Sequence, residues 1–455
     1  MKVTQKPYQR DVGKWSFVVG LAIILLTSSL SATNGYFRHG YGIQYRGLAG
    51  AGVALYLGPL AAANNPAAIG FLGRQLDLGV SFFNPNRECI VTGGPSGFPF
   101  TFPLAPGTVE SDNKMFVIPT MGLSYDFGGA NALGLAIYGN GGMNTSYPVR
   151  TFDNPQLSFD PPTGVDLSQL FVAGTYARKL GANHSIGVTG IFAFQRFQAE
   201  GLFAFGGFSS DPGNLTNNNH SNATGFGARF GYLGEFGAVS IGGSYQTKIN
   251  MGKFDDYAGL FAEQGGFDIP ANWIVGAAVK ATSALTIAVD VQQIMYGDIN
   301  SIGNSMDLQT NPPFVPNPNA DANNPNTFFI PNQDFIPLGA DNAWGFGWQD
   351  MTVLKIGAQF TLAPGFELRG GFSTGGQPIS ESEVLFNMLA PGVIEEHFTL
   401  GFSKSLSPKV DLNFAVMHGL SNSVSGANVF EAPNQQQIEL KMGQFEGDLG
   451  ISIHL

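Results

Sequence analysis

Apolar and polar side chains alternate along many short segments of this chain. Leu285, Ile287, Val289 and Val291 alternate with Thr286, Ala288, Asp290 and Gln292, and Val410, Leu412, Phe414 and Val416 with Asp411, Asn413 and Ala415. Phe226, Ala228, Phe230 and Tyr232 alternate with Gly227, Arg229 and Gly231, and Leu449, Ile451, Ile453 and Leu455 with Asp448, Gly450, Ser452 and His454. Successive side chains of a strand point to opposite faces, so each segment has one greasy face and one polar or small face. About fourteen such segments begin near Leu76, Phe116, Leu133, Gln169, Ser185, Thr224, Gly237, Asn272, Leu285, Met351, Phe366, His397, Lys409 and Gln435.

The links between these segments alternate in length. Short links are expected at Gly128–Ala132, Gly181–His184, Phe236, Thr282–Ala284, Ala363–Gly365 and Ser405–Pro408. Long links are expected at Asn84–Met115, Gly139–Ser168, Glu200–Ala223, Met251–Ala271, Tyr296–Asp350, Ser373–Glu396 and Gly419–Asn434. Outer-membrane barrels have short periplasmic turns and long outer loops, and closure satisfies every strand edge, as lipid demands. The reading is therefore all-β: a transmembrane antiparallel β-barrel of about fourteen strands. A secreted all-β protein is the alternative, but it has no reason to keep its long loops at one end. Tyr296–Asp350, rich in Asn and Pro, should be an extended outer loop. Thr33–Gly73 is Gly- and Ala-rich without sustained alternation; it could lie in the periplasm or plug the lumen, and its few charges and many small residues favour packing inside the barrel.

Composition sharpens this reading. Hydrophobic residues make up 44% and charged residues 12%, half the charge of an ordinary soluble domain. Beyond the N-terminus no segment holds 15 uninterrupted apolar residues, which excludes a polytopic helical membrane protein. Lys2, Lys6, Arg10 and Lys14 precede the apolar run Trp15–Leu26 and the small residues Thr27–Ala32, the order of a secretory signal. A single membrane anchor is the competing reading. Removing residues 1–32 takes away four positive charges and one negative, so the net charge of −11 becomes −14. That acidity argues against nucleic-acid binding. The one cysteine, Cys89, leaves no internal disulfide, and the six His show no metal-ligand spacing, so neither metal nor cofactor is expected.

The segment before the barrel carries a recognisable arrangement: Asn34-Gly35-Tyr36, Gly40-Tyr41-Gly42, Arg46-Gly47-Leu48-Ala49-Gly50-Ala51-Gly52, and Leu60 through Asn65-Pro66-Ala67. It resembles the N-terminal hatch of the FadL/TodX family of outer-membrane transporters for long-chain fatty acids and aromatic hydrocarbons. The resemblance continues through Leu133–Tyr138, Gly139–Gly142 and Thr145–Pro148, and through Gln437–Met442. It implies a signal peptide at 1–32, a hatch at 33–74 and a fourteen-stranded barrel at 75–455. It also implies a kinked third strand that opens the wall. Where the family usually has Pro-Phe-Gly, this chain has Asn140-Gly141-Gly142.

The implied function is passive, non-enzymatic uptake of hydrophobic small molecules, fatty acids or hydrocarbons, across a Gram-negative outer membrane. The partners are outer-membrane lipids and the barrel-assembly machinery, and the expected state is a monomer. Candidate hatch and gating residues are Asn34, Gly35, Arg46, Gly47, Gly50, Gly52, Asn65, Pro66 and Ala67. Candidate gate residues are Gly139, Asn140, Gly141 and Gly142, for which a plain strand end followed by a glycine turn is the alternative. Candidate ligand-binding residues are Phe203, Phe205 and Phe208 in the third long loop and Leu260, Phe261 and Phe267 in the fourth; they could instead pack on one another as a cap. Lys280, Arg229, Lys355, Arg369 and Lys441 are expected to face the lumen by parity and to pair with carboxylates such as Asp77, Asp290, Glu367 and Glu439. A general porin, or a structural or adhesive barrel, remains the alternative function. Gly371-Phe372-Ser373-Thr374-Gly375 matches G-x-S-x-G, but a barrel strand is not the strand-turn-helix elbow that motif requires. No spacing brings its candidate bases, His39 and His397, near Ser373, so no catalytic residue is assigned.

Overall fold

The computed structural model describes residues 34–149, 151–152 and 162–455; the expected signal peptide lies outside the described residues. Fourteen strands form the barrel: β1 Gln75–Thr92, β2 Phe116–Asp126, β3 Asn131–Tyr147, β4 Thr163–Lys179, β5 His184–Glu200, β6 Ser221–Phe236, β7 Val239–Gln246, β8 Asn272–Lys280, β9 Leu285–Ile294, β10 Met351–Ala363, β11 Phe366–Thr374, β12 Glu396–Ser407, β13 Val410–Ala427 and β14 Gln437–His454. Each pairs antiparallel with its neighbours in chain order, and β14 returns to pair with β1 from Gln75 opposite His454 to Thr92 opposite Gln437. The sheet is closed.

Turns of two to four residues join the strands at one end, and loops such as 201–220, 247–271 and 295–350 join them at the other. Several strands outrun their sequence patterns. β1 continues to Thr92, β3 to Tyr147 and β13 to Ala427, and β4 begins at Thr163 rather than Gln169. The hydrogen-bond ladder persists there although the expected alternation lapses.

The reason is an inversion of the two faces part-way up the wall. In the short-turn half of β1, Leu76, Leu78, Val80 and Phe82 face outward while Asp77 and Ser81 are buried inside. Above Phe82, Asn84, Asn86 and Glu88 take the outward positions, and Phe83, Cys89 and Val91 are buried inside. β14 inverts likewise. Glu446, Asp448 and Ser452 are buried inside below, with Phe445 and Leu449 outside; above, Ile438, Leu440 and Met442 are inside. Parity alone therefore misplaces two residues. Glu439 and Lys441 face outward, where Lys441 Nζ lies 3.4 Å from Glu88 of β1. Lys280 sits at the exposed short-turn end of β8, 3.9 Å from Glu235. Arg229, Lys355 and Arg369 are buried inside.

The inversion follows the surroundings. A lipid-facing band needs apolar side chains, and Phe226, Phe230, Ile241, Leu400 and Leu449 are exposed on it. Beyond that band the outside is wet and the inside is covered by loops. The lumen thus has a polar zone toward the short turns and an apolar zone toward the long loops.

The polar zone is filled by the segment from Asn34 to Phe71. Its backbone or side chains bond Ser81 of β1, Tyr232 of β6, Asp290 of β9, Lys355 of β10, Thr399 of β12 and Asp448 of β14. Partners spread around the circumference place the segment inside the barrel. Wall glycines let it approach. A Cβ on Gly231 would lie 2.1 Å from Asn65 Oδ1, and one on Gly371 would lie 2.3 Å from the carbonyl carbon of Leu48. Only a residue without a side chain permits such contact.

Gly231→Val should therefore loosen the inner segment without unfolding the barrel, at a cost of about 1–3 kcal/mol from overpacking. Limited proteolysis of folded protein should show faster cleavage within 34–73 than in the parent. Unchanged cleavage in a variant that keeps its heat-modifiable gel mobility would contradict this account.

Candidate functional site

Among the wall's shifts in register, the one on β3 falls on the expected residues. β2 and β3 pair from Asp126 opposite Ala132 up to Met121 opposite Ile137, and no further. β3 then shifts register against β4 between Gly139 and Gly141, the signature of a bulge. From Tyr138 to Thr145 every residue of β3 is buried, so both faces are covered and the strand has left the lipid surface. Higher up, the Asp112 N–H donates to the Ser146 carbonyl at 2.8 Å. The Met121–Ile137 pair below and the Asp112–Ser146 bond above frame a window between Phe116–Thr120 and the upper half of β3.

The N-terminal segment takes over the hydrogen bonds that β3 no longer makes to β2. Phe37 bridges Gly141; the Arg38 N–H donates to the Asn140 carbonyl and the Gly142 N–H to the Tyr36 carbonyl, each at 3.1 Å. The Asn140 side chain accepts from the Tyr41 hydroxyl at 2.7 Å and donates to Gln169 at 2.9 Å. The bulge is thus held as a built element and is not a strand end. Asn34 and Gly35 begin the tight turn that Phe37 closes, and a cavity of about 30 Å³ lies beside it, lined in part by Gly35, Gly142, Met143 and Trp348.

Below the window lies a buried charge cluster. Arg46, on the one-turn helix Ile43–Arg46, pairs with Glu446 and Asp448 and bonds the Ser81 hydroxyl at 2.6 Å; Arg38 pairs with Glu446. The opposing carboxylates raise the Arg46 guanidinium above its ordinary range despite its burial. The Gly52 and Val53 N–H groups both donate to Asp290, at 2.7 and 2.9 Å. Thr399 accepts from the Ala49 N–H at 2.9 Å and donates to the Gly47 carbonyl at 3.1 Å. Gly50 has φ +76° and packs on the His39 carbonyl, where no side chain fits. Asn65 caps the turn Pro66–Phe71 by accepting from the Ala67 N–H at 3.0 Å, while its amide donates to the carbonyls of Val53 and Tyr232. The hatch residues singled out in the sequence are therefore those that tie the segment to itself and to the wall.

The structure also joins three residues that the sequence left apart. Ser373 Oγ lies 3.3 Å from His397 Nδ1, and His397 stacks on His39 with ring centroids 6.0 Å apart. Burial, then the charges of Arg46, His397, Lys355 and Arg38, holds the His39 imidazole well below its ordinary pKa. The charged groups that bear on it are cations, not the carboxylate that orients a catalytic base.

Above the cluster the interior is aromatic. Of the six loop residues expected to bind ligand, Phe205, Leu260, Phe261 and Phe267 are buried, and Phe203 and Phe208 are half-buried. Phe261 packs on Phe267 at 4.8 Å and on Phe197 at 4.6 Å. The fourth-loop trio is part of a closed cap, beneath which the cavity next to Leu260 and Phe261 holds about 10 Å³, room for one water at most.

An open apolar groove lies elsewhere, a feature that sequence reasoning missed. It has a volume of about 480 Å³ and is walled by Phe98–Thr101 of the first loop, Phe314 and Phe329 of the fifth, and Phe430 of the seventh, among others. Rings connect it to the window. Phe100 touches Phe314 at 5.2 Å, Phe314 touches Phe208 at 6.4 Å, and Phe208 touches Phe430 at 5.4 Å. Phe430 leads through Phe102 to Phe205 and Phe386, at 6.3, 5.3 and 5.0 Å. Phe386 leads through Phe346 and Trp348 to Tyr36, at 6.3, 6.4 and 6.0 Å, and Tyr36 precedes the residue that bridges Gly141.

Comparison with solved structures places this arrangement. The toluene transporter TodX of Pseudomonas putida matches with a TM-score of 0.64 and 18% identity, over 93% of this chain and 100% of that one. The toluene transporter TbuX of Ralstonia pickettii matches at 0.59 and 17%, over 92% and 99%. A FadL homologue of Pseudomonas aeruginosa matches at 0.63 and 15%, over 92% and 99%. This chain shares their fold. No protein-family model and no curated protein matches the chain. Within the shared barrel fold, the inner segment, the bulge on β3 and the aromatic interior all lie on this chain's own residues.

Breaking the charge cluster should be costly. Arg46→Leu leaves Glu446 and Asp448 buried without their shared partner, and should lower stability by about 3–5 kcal/mol. Arg46→Lys should recover part of that loss. The check is the unfolding midpoint in urea, followed by the gel shift of folded barrel; equal midpoints for parent and Arg46→Leu would refute the assignment.

Proposed function

We propose that this chain is a FadL/TodX-type outer-membrane channel that takes up small hydrophobic molecules passively and releases them sideways into the membrane. Residues 1–32 would be removed on export, 33–74 would act as the hatch, and 75–455 as the conducting barrel. The barrel-assembly machinery would insert it as a monomer.

The observation that carries this reading is the window. β3 abandons β2 at Ile137 and is held inside the wall by Tyr36–Arg38. A greasy solute gains nothing from an aqueous axial path, because leaving an apolar surface for water is unfavourable. It gains from moving between apolar surfaces and leaving through the wall into lipid. The axis supports this reading, since its short-turn half is filled by the hatch and a buried charge cluster. The aromatic interior, continuous from the outer groove to Tyr36, supplies the apolar surfaces. Moving Tyr36–Arg38 aside would join that interior to the window. This motion breaks two backbone hydrogen bonds and the Arg38–Glu446 pair, while Arg46 keeps Glu446 and Asp448.

The test replaces Gly139–Gly142 with the strand-forming sequence Val-Thr-Val-Thr, so that β3 can pair along β2. Uptake of labelled toluene and labelled oleate would be measured in cells with the parent, the variant or no protein. Parent cells should exceed cells without the protein, and the folded variant should lose at least about tenfold in rate, the equivalent of about 1.4 kcal/mol. Full uptake by the variant would remove the lateral exit; equal uptake with and without the protein would remove the transport reading.

A further inference from the structure

We infer that the groove between the first, fifth and seventh outer loops is the capture site, and that it takes neutral apolar molecules while rejecting their carboxylate analogues. This rests on reading the chain as a passive carrier and names its substrate class.

The groove is concave and open, and its volume of about 480 Å³ lies within the range of small-molecule sites. Phe98, Phe100 and Phe329 are 63%, 42% and 41% exposed on it. Rings are rarely left to water in such a cluster unless something covers them. The walls are stiff. Phe314–Pro316 pairs with Phe329–Pro331 as a small hairpin, and Pro312, Pro313 and Pro433 stand beside it. A wall already set in its binding shape loses little entropy on taking a ligand. The inner end of the groove is continuous with the aromatic interior through Phe314 and Phe208.

Charge selects the occupant. No Lys or Arg lines the groove. Its one ionisable group, Glu431, accepts hydrogen bonds from the Ser96 hydroxyl and from the Ala432 N–H at 2.7 Å. The surrounding mouth has the same sign. Loop 295–350 holds six Asp and no Lys or Arg; the seven long loops together hold nineteen acids and four bases, a net of −15 against −11 for the whole chain. A carboxylate entering the groove would lose water, meet no cation and face an acidic rim. A neutral ring loses only the water on its apolar surface, which favours entry.

The experiment uses the full chain in lipid nanodiscs with two fluorescent probes that share a ring system, naphthalene and 2-naphthoate. Naphthalene should bind at least about tenfold more tightly. Phe100→Ser/Phe329→Ser, checked for folding by heat-modifiable gel mobility, should abolish that binding. Thr101→Lys should raise 2-naphthoate affinity by a factor of about three or more. Equal affinity for the two probes, or undiminished naphthalene binding by the folded double variant, would overturn the inference. So would a dimer in sedimentation that the double variant loses, since a second copy would then own the groove. Cells separate this from the transport reading. If cells lacking the protein lose naphthalene uptake while cells with the double variant keep it, the groove falls and transport stands. If cells lacking the protein take up naphthalene normally, transport falls, and groove-dependent binding in nanodiscs still supports the site.

Discussion

A bilayer core offers a peptide N–H or C=O no partner, and each one left bare there costs several kcal/mol. This constraint governs the whole molecule. It forces the closed ladder from β1 round to β14, and it sets the terms on which the wall can open. A strand that leaves its neighbour must find another. β3 finds one in Tyr36–Arg38, so the break beside β2 exposes few unpaired backbone groups. The inner segment therefore completes the sheet at the one place where the wall does not close on itself.

The two zones of the lumen divide the work. Toward the short turns, Arg46, Glu446, Asp448 and Asp290 anchor the inner segment through bonds that are strong when complete and costly when broken. Toward the loops, rings meet rings without directional bonds. Each such dispersion contact is individually weak. Between the zones, the inner segment is held by charge at Arg38, paired with Glu446, and by ring contact at Tyr36, packed on Trp348.

Much of this was legible in the sequence. Period-two segments located all fourteen strands, and the alternation of link lengths gave the two ends of the barrel. The family resemblance pointed to Asn65-Pro66-Ala67 and to the kink at Gly139–Gly142, where the glycines alone would equally have suited a plain strand end. The strand tops escaped notice for a definite reason. Above the lipid band Glu439 and Lys441 change sides relative to the lumen while the strand continues, so a rule that places polar residues inside gives the wrong face. The open groove escaped because it joins Phe100, Phe314 and Phe430, which are far apart in sequence and meet only when three loops fold together. The approach of Ser373, His397 and His39 was hidden for the same reason.

The stretch of β2 bordering the window includes Pro119. A strand edge left open is an invitation to another chain, and soluble β proteins blunt theirs with proline, which has no N–H to offer. The same device stands here at a gap in a membrane wall, and the opposite rim is already occupied by the chain's own Tyr36–Arg38. The rim of the gap thus offers a neighbouring barrel few free backbone groups, so crowding in the membrane should not drive these proteins to associate through it.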